Sequence, residues 1–165
     1  MNQQEKAFKE IFEANSKRIY HLCFGYTNDA DAANDLLQET FLKVWQNLHK
    51  FREQSQIFTW IYRIAVNTCL TYLKKEKRQV KEELTSNIIE TQAEVVSDKQ
   101  EQVSLLYTCI AKLEENERLI ITMVMDEVTY QEIAEIAGIS EGNLRVKIHR
   151  IKQKLTGLYN QYEKL

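Results

Sequence analysis

The stretch TYQEIAEIAGISEGNLRVKIHRIKQKL, Thr129 to Leu155, decides the reading of this chain. Thr129 can cap a helix, and Glu132 three residues on completes a capping box. Ile133, Ala134, Ile136 and Ala137 give that helix an apolar face. Gly138 supplies the turn, because a residue without a Cβ tolerates positive φ. Ser140 then caps a second helix. On that helix Leu144, Ile148, Ile151 and Leu155 recur at steps of four, three and four, one buried stripe. Helix, tight turn and basic second helix make a helix-turn-helix that reads DNA. Repressors, activators and sigma factors all use this motif, so it does not by itself say what is read.

The second helix can be resolved by angle. At about 100° per residue, the buried stripe leaves Gly142, Val146, His149 and Gln153 on the opposite side. Arg145 and Lys152 flank one edge; Asn143, Lys147, Arg150 and Lys154 flank the other. A helix in the major groove has base edges in front and a phosphate ridge on each side. Lys147, Arg150 and Lys154 are therefore assigned mainly to phosphates, and Arg145, Val146 and His149 to base edges. Ser140 and Asn143, at the start of the helix, join them as DNA contacts. A basic helix face can also be merely solvated; cap, turn and stripe together weigh against that.

Composition bounds the remainder. The 165 residues fit one domain or two small ones, and the absence of Pro with only four Gly favours helices over a sheet with many turns. No apolar run approaches the ~20 residues of a membrane span, and MNQQEKAFKE lacks the apolar core of a signal peptide. A soluble cytoplasmic protein without direct membrane insertion is expected. Cys23, Cys69 and Cys109 form no CxxC pair, and His21 near Cys23 has no second pair beside it, so a structural role is expected and no metal. No nucleophile is paired with a base and no Gly-rich loop could cradle phosphate, so no enzyme activity and no cofactor are expected.

The net charge of −2 argues against a general nucleic-acid coat, but its distribution is uneven. Between Trp60 and Arg78 five basic residues face only Glu76, and from Gly142 onward six face only Glu163. The stretch from Gln79 to Glu141 is acidic. Two basic surfaces suggest two nucleic-acid contacts. The periodicity predicts helices over about Gln4 to Gly25, from Asn28 or Asp29 onward with Leu37, Phe41, Val44 and Leu48 on one face, and from about Ser55 through Ile57, Ile61, Ile64, Ala65, Thr68 and Tyr72. Beyond a flexible linker, Gln79 to Gln100, a helix through Leu105 to Leu113 and a short one over about Glu117 to Met125 precede the helix-turn-helix. The expected fold is all-α, with small domains at 1–78 and 101–165 joined by that linker at 79–100.

Two further segments carry specific chemistry. In DAANDLLQETFLKVWQNL, Asp31 to Leu48, the core stripe does not account for Asp35, Gln38, Glu39, Leu42 and Trp45 on neighbouring faces. An indole beside carboxylates on a helix exterior suits a protein contact, although Trp45 could equally be core. In FREQSQIFTWIYRIAVNTCLTYLKKEKR, Phe51 to Arg78, a polar loop leads into an aromatic and then basic helix. Phe58, Trp60 and Tyr62 beside Arg63, Asn67 and the cations from Lys74 to Arg78 suit single-stranded or melting DNA. Packing claims some of those aromatics, which leaves the loop and the cations as the more functional part.

With these residues in place, the chain resembles the extracytoplasmic-function (ECF) group of bacterial sigma factors, over nearly its whole length except the linker. The resemblance implies that Asp35, Gln38, Glu39, Phe41, Leu42 and Trp45 bind core RNA polymerase, at the clamp helices of its largest subunit, with the flap as a further contact. Phe51, Phe58, Trp60, Ile61, Tyr62, Ile64, Ala65 and Asn67 match the family segment that recognises and melts the −10 element. By that likeness Arg52, Glu53, Gln54, Ser55 and Gln56 form a loop that captures a flipped base, with Arg63, Asn67, Lys74, Lys75 and Arg78 along the strand. The second domain would read the −35 element. An anti-sigma partner, membrane-bound in many relatives, is also implied. This sequence departs from the family in having Glu115 to Glu117 where a Pro is common, Ile151 and Lys152 after Arg150 in place of an Arg-Ala-Arg-like run, and Lys74 and Lys75 for arginines. Lys lacks the guanidinium fork. The competing expectation is a polymerase-independent helix-turn-helix repressor or activator, which predicts a dimer on a palindrome.

Overall fold

The computed structural model describes residues 1–82 and 98–164, with the side chains of 77–82 outside that description. Seven α-helices and one short 3-10 turn, Leu48–Lys50, are found among the described residues, and no strand. They are α1 (Gln3–Thr27), α2 (Ala30–Asn47), α3 (Ile57–Glu82), α4 (Asp98–Ala111), α5 (Glu115–Met125), α6 (Tyr130–Ala137) and α7 (Glu141–Glu163). The greater part of the expected linker and the side chain of Arg78 lie outside the described residues.

Local chemistry sets the helix ends. Asn2 and Glu5 cap α1 reciprocally: the Glu5 amide donates to Asn2 Oδ1 at 2.8 Å and the Asn2 amide to Glu5 Oε2 at 2.9 Å. Asn28 and Asp29 divide the α1–α2 junction between them. Asn28 ends α1 in the left-handed region at φ 51°, where Asn is better tolerated than most residues. Asp29 Oδ1 then accepts from the Asp31 and Ala32 amides at the start of α2. At the other junction Gly138 takes φ 69°, and Ser140 Oγ accepts from the Asn143 amide at 3.1 Å.

Buried faces differ from the expected stripes on α2, α3 and α6, and on α7 at the half-buried Leu155. On α2 the core takes Ala33, Leu36, Thr40, Phe41 and Val44, whereas Leu37 and Leu48 are half-buried. Thr40 can sit at 0 % exposure because its hydroxyl donates to the Leu36 carbonyl at 2.7 Å, so a polar residue serves as core and hides the true stripe. On α3 the buried set is Thr59, Ile61, Tyr62, Ala65, Thr68 and Cys69. On α6 Ala137 is exposed while Ile133, Ala134 and Ile136 are buried.

The two halves pack against each other. Core residues of α1 to α3 and of α4 to α7 form one continuous apolar cluster. Helix α1 lies on α4 and α5, and α3 lies on α6. At the α1–α5 crossing Gly25 permits close approach, since a Cβ there would stand 3.0 Å from Thr122 Cγ2 and 3.1 Å from Thr122 Cβ. Around it His21 Nδ1 meets Asp126 Oδ1 at 3.0 Å, the Arg118 guanidinium lies 5.0 Å from the Tyr26 ring centre, and Phe24 meets Tyr107 edge-on at 4.9 Å. Within the first half Cys23 and Cys69, far apart in sequence, bring their sulfurs to 3.9 Å in the core. The hydrogen bond with Cys23, then burial, push the Cys69 thiol well up, so it behaves as a small protonated core residue.

Candidate nucleic-acid interface

Helix α7 presents the expected face. Leu144, Ile148 and Ile151 are buried, and Ser140, Asn143, Arg145, Val146, Lys147, His149, Arg150 and Lys154 are all exposed. Val146 is 51 % exposed. Arg145 is held by two neighbours: Nη2 bonds Glu141 Oε1 at 3.1 Å, and the guanidinium lies 5.0 Å from the Tyr130 ring centre. Its guanidinium is thus held by its own helix and by α6.

Lys154 is less free than its sequence position suggests. Its Nζ reaches across to Glu117 Oε1 on α5 at 2.6 Å. Burial raises Glu117, but the Lys154 bond and the Glu114 amide together outweigh it and bring the carboxyl below its ordinary value. The same hydrogen bond raises Lys154. Lys154 therefore ties α7 to α5.

On α2, Asp35, Gln38, Glu39 and Leu42 are exposed and Trp45 is half-buried. Phe41 differs: at 3 % exposure its ring is core and supports the surface from beneath. It packs edge-on against Phe12 at 4.8 Å and Phe8 at 6.2 Å, and Phe8 meets Trp45 at 5.3 Å. The neighbouring face of α1 thus adds Phe8 and the 40 % exposed Phe12 to the same patch. Their four-residue spacing is a core signal and an edge signal alike.

In the loop before α3, Arg52, Gln54 and Gln56 are exposed and Ser55 is half-buried, with Glu53 turning the chain at φ 52°. On α3, Arg63, Asn67, Lys74 and Lys75 are exposed. The aromatic cluster separates into distinct roles. Tyr62 is fully buried against Phe58, and burial pushes its hydroxyl far up, so it stacks on no base. Phe58 is half-buried with the Arg18 guanidinium 5.5 Å from its ring centre. Trp60 is half-buried against Phe51 and lines a cleft of about 420 Å³ with Lys43, Asn47, Lys50, Asn67, Thr68 and Thr71. Lys43, Asn47 and Lys50 were not among the expected contacts. Their three- and four-residue spacing at the end of α2 was the available signal.

A helix-turn-helix with an exposed basic face defines a DNA-binding protein, and it stands beside a basic α3 and an apolar and acidic face on α2. The family model for sigma-70 region 2 matches residues 11–79, and that for sigma-70 region 4 matches residues 104–155. The chain is similar to the ECF RNA polymerase sigma factor SigM of Bacillus subtilis, 28% identical over 155 residues, covering 92% of this chain and 94% of the relative. It is similar at 28% identity to SigW of the same organism, with 92% and 88% covered, and to the ECF RNA polymerase sigma-E factor of Escherichia coli, with 92% and 85% covered. Among solved structures, the sigma factor RpoE of Bartonella quintana, crystallised with the anti-sigma factor NepR, matches with a TM-score of 0.79 at 20% identity over 94% of this chain and 98% of that one. CnrH in complex with the cytosolic domain of CnrY matches with 0.70 at 17% identity, over 95% and 90%. The chain belongs to the ECF group of the sigma-70 family, whose function is promoter-specific initiation of transcription with RNA polymerase.

Proposed function

We propose the following division of labour. Asp35, Gln38, Glu39, Leu42 and Trp45, backed by Phe41, dock the protein on core polymerase at the largest subunit's clamp helices, with the flap as a second contact for the 101–165 unit. Residues 1–78 recognise and open the −10 element: the loop from Arg52 to Gln56 takes an exposed base, and Arg63, Asn67, Lys74, Lys75 and Arg78 follow the strand. Captured bases offset the few kcal/mol of unstacking, and no covalent chemistry is required. Residues 101–165 read the −35 element through α7, with residues 79–100 as the linker.

The observation that carries this reading is that the exposed apolar patch and the exposed basic helix sit on different units. Leu42 at 56 % and Phe12 at 40 % exposure stand on the first unit, and Val146 at 51 % stands on the basic helix of the second. No described helix is long and apolar enough to cross a membrane. One structural relative, the sigma factor RpoE, was crystallised with the anti-sigma factor NepR, which supports an anti-sigma partner here. The test is run-off transcription from genomic fragments with purified core polymerase. Discrete start sites that depend on this protein are expected, and folded protein that yields none would overturn the reading.

A further inference from the structure

Lys154 stands on the edge of α7 that the angular reading gives to phosphates, but its charge is already engaged. Its Nζ donates to Glu117 Oε1 at 2.6 Å, and the other oxygen of that carboxylate, Oε2, accepts from the Glu114 amide at 3.1 Å at the start of α5. One carboxylate thus joins the first turn of α5 to the middle of α7. The Glu117 side chain is only 18 % exposed, against 51 % for Lys154. Drawing the ammonium away to a phosphate would leave a largely covered carboxylate without its cation. It would also leave that carboxylate beside the DNA strand, where it repels the phosphates.

The rest of α7 divides at the same point. Toward Ser140, the front residues Val146 and His149 are exposed. Beyond Lys154 the helix turns to packing. Leu155, Leu158, Tyr159 and Tyr162 are half-buried, and Lys112 Nζ of α4 lies 4.6 Å from the Tyr162 ring centre. The stretch from Thr156 to Gln161 carries no charge to meet a phosphate. At about 1.5 Å per residue, Lys154 lies about 6 Å past Arg150 and about 10 Å past Lys147. A recognition helix meets base edges through its N-terminal residues, and Lys154 lies toward the opposite, anchored end.

We propose that Lys154 and Glu117 are positioning residues for −35 recognition: together they fix the angle of α7 on α5, and the phosphate contacts along that edge end at Arg150. The proposal rests on the reading of α7 as the −35 reader. It makes a demand that charge alone does not. A carboxylate beside a DNA-binding helix, which opposes binding electrostatically, improves the discrimination of that helix.

The test uses holoenzyme. Core polymerase carrying the full-length protein or a variant is titrated, at several salt concentrations, onto a promoter fragment taken from a start site mapped by run-off transcription. The same titration is made on that fragment with its upstream element scrambled. Lys154→Ala is expected to keep the salt slope of the unsubstituted protein while its preference for the intact fragment falls about threefold or more; Lys147→Ala, the phosphate control, lowers the slope by about one contact. In Glu117→Gln a single amide oxygen must serve both donors, the Glu114 amide and Lys154. That variant is expected to lose the same preference although a negative charge has been removed, with binding to the scrambled fragment unchanged or tighter. A lowered slope with preference intact in Lys154→Ala would make Lys154 a phosphate contact and overturn the proposal. Preference unchanged in both variants, or equal losses on the two fragments, would overturn it as well. An unsubstituted protein that directs no initiation is a separate result, which removes the sigma-factor reading and this proposal with it.

Discussion

Leu42→Ala separates binding from folding more cleanly than any other change on the α2 face. Leu42 is 56 % exposed in the free protein. Burying a whole leucine is worth about 1.5–3 kcal/mol, so covering the exposed part in a polymerase complex is worth about 0.8–1.7 kcal/mol. That is about a 4- to 18-fold weakening of the complex when the side chain is truncated. The cost to the fold comes only from the smaller portion already covered, part of which alanine retains, so the melting temperature should move by no more than about 2–4 °C. Phe41→Ala is the informative contrast: its ring is 3 % exposed, and its loss should cost about 3–5 kcal/mol of folding stability. The assay is competition of unlabelled variants against labelled protein for core polymerase, with thermal melts of each variant alongside. A Leu42→Ala protein that melts normally and competes within twofold of the unsubstituted chain would refute the interface assignment.

Three further outcomes follow from the geometry. Arg145→Ala should relax upstream sequence preference by about 1–3 kcal/mol, whereas Lys147→Ala should lower the salt dependence by about one phosphate contact and weaken all sequences alike; binding titrations on matched and mismatched duplexes at several salt concentrations distinguish them, and equal uniform losses would reject the division. Gly138→Ala should cost stability although a Cβ there meets nothing within 4 Å, because φ 69° charges an alanine about 1–2 kcal/mol against about 0.4–1 recovered from the stiffer unfolded chain; a raised melting temperature would contradict this. Glu117 is lowered in the fold, so its contribution is present above its ordinary value near 4.5 and is lost as pH falls through the lower folded value. In melts from about pH 6 down to pH 3, Glu117→Gln should therefore show a shallower acid loss than the unsubstituted protein, and superimposable pH curves would remove the Lys154 bond from the stability of α7.

The parts of this protein that were legible in its sequence are those governed by short-range rules. Thr129, Gly138 and Ser140 act within a few residues of themselves, and the structure places all three as cap, turn and cap. The ECF resemblance and the exposed face of α7 follow from such rules too. Apolar periodicity was less reliable where a polar residue filled a core position, as Thr40 does on α2, and where a ring stood at the edge of the core, as Phe12 does. Least legible was the contact between the halves. Gly25, Thr122, His21 and Asp126 are each ordinary residues on amphipathic helices, and nothing local marks His21 as the neighbour of a residue 105 positions away. Arg63 is a further case: its charge and its place on α3 give no sign that its Nη2 donates to the Glu135 main-chain carbonyl on α6, because that pairing is set by how the halves pack and not by residues near it in sequence.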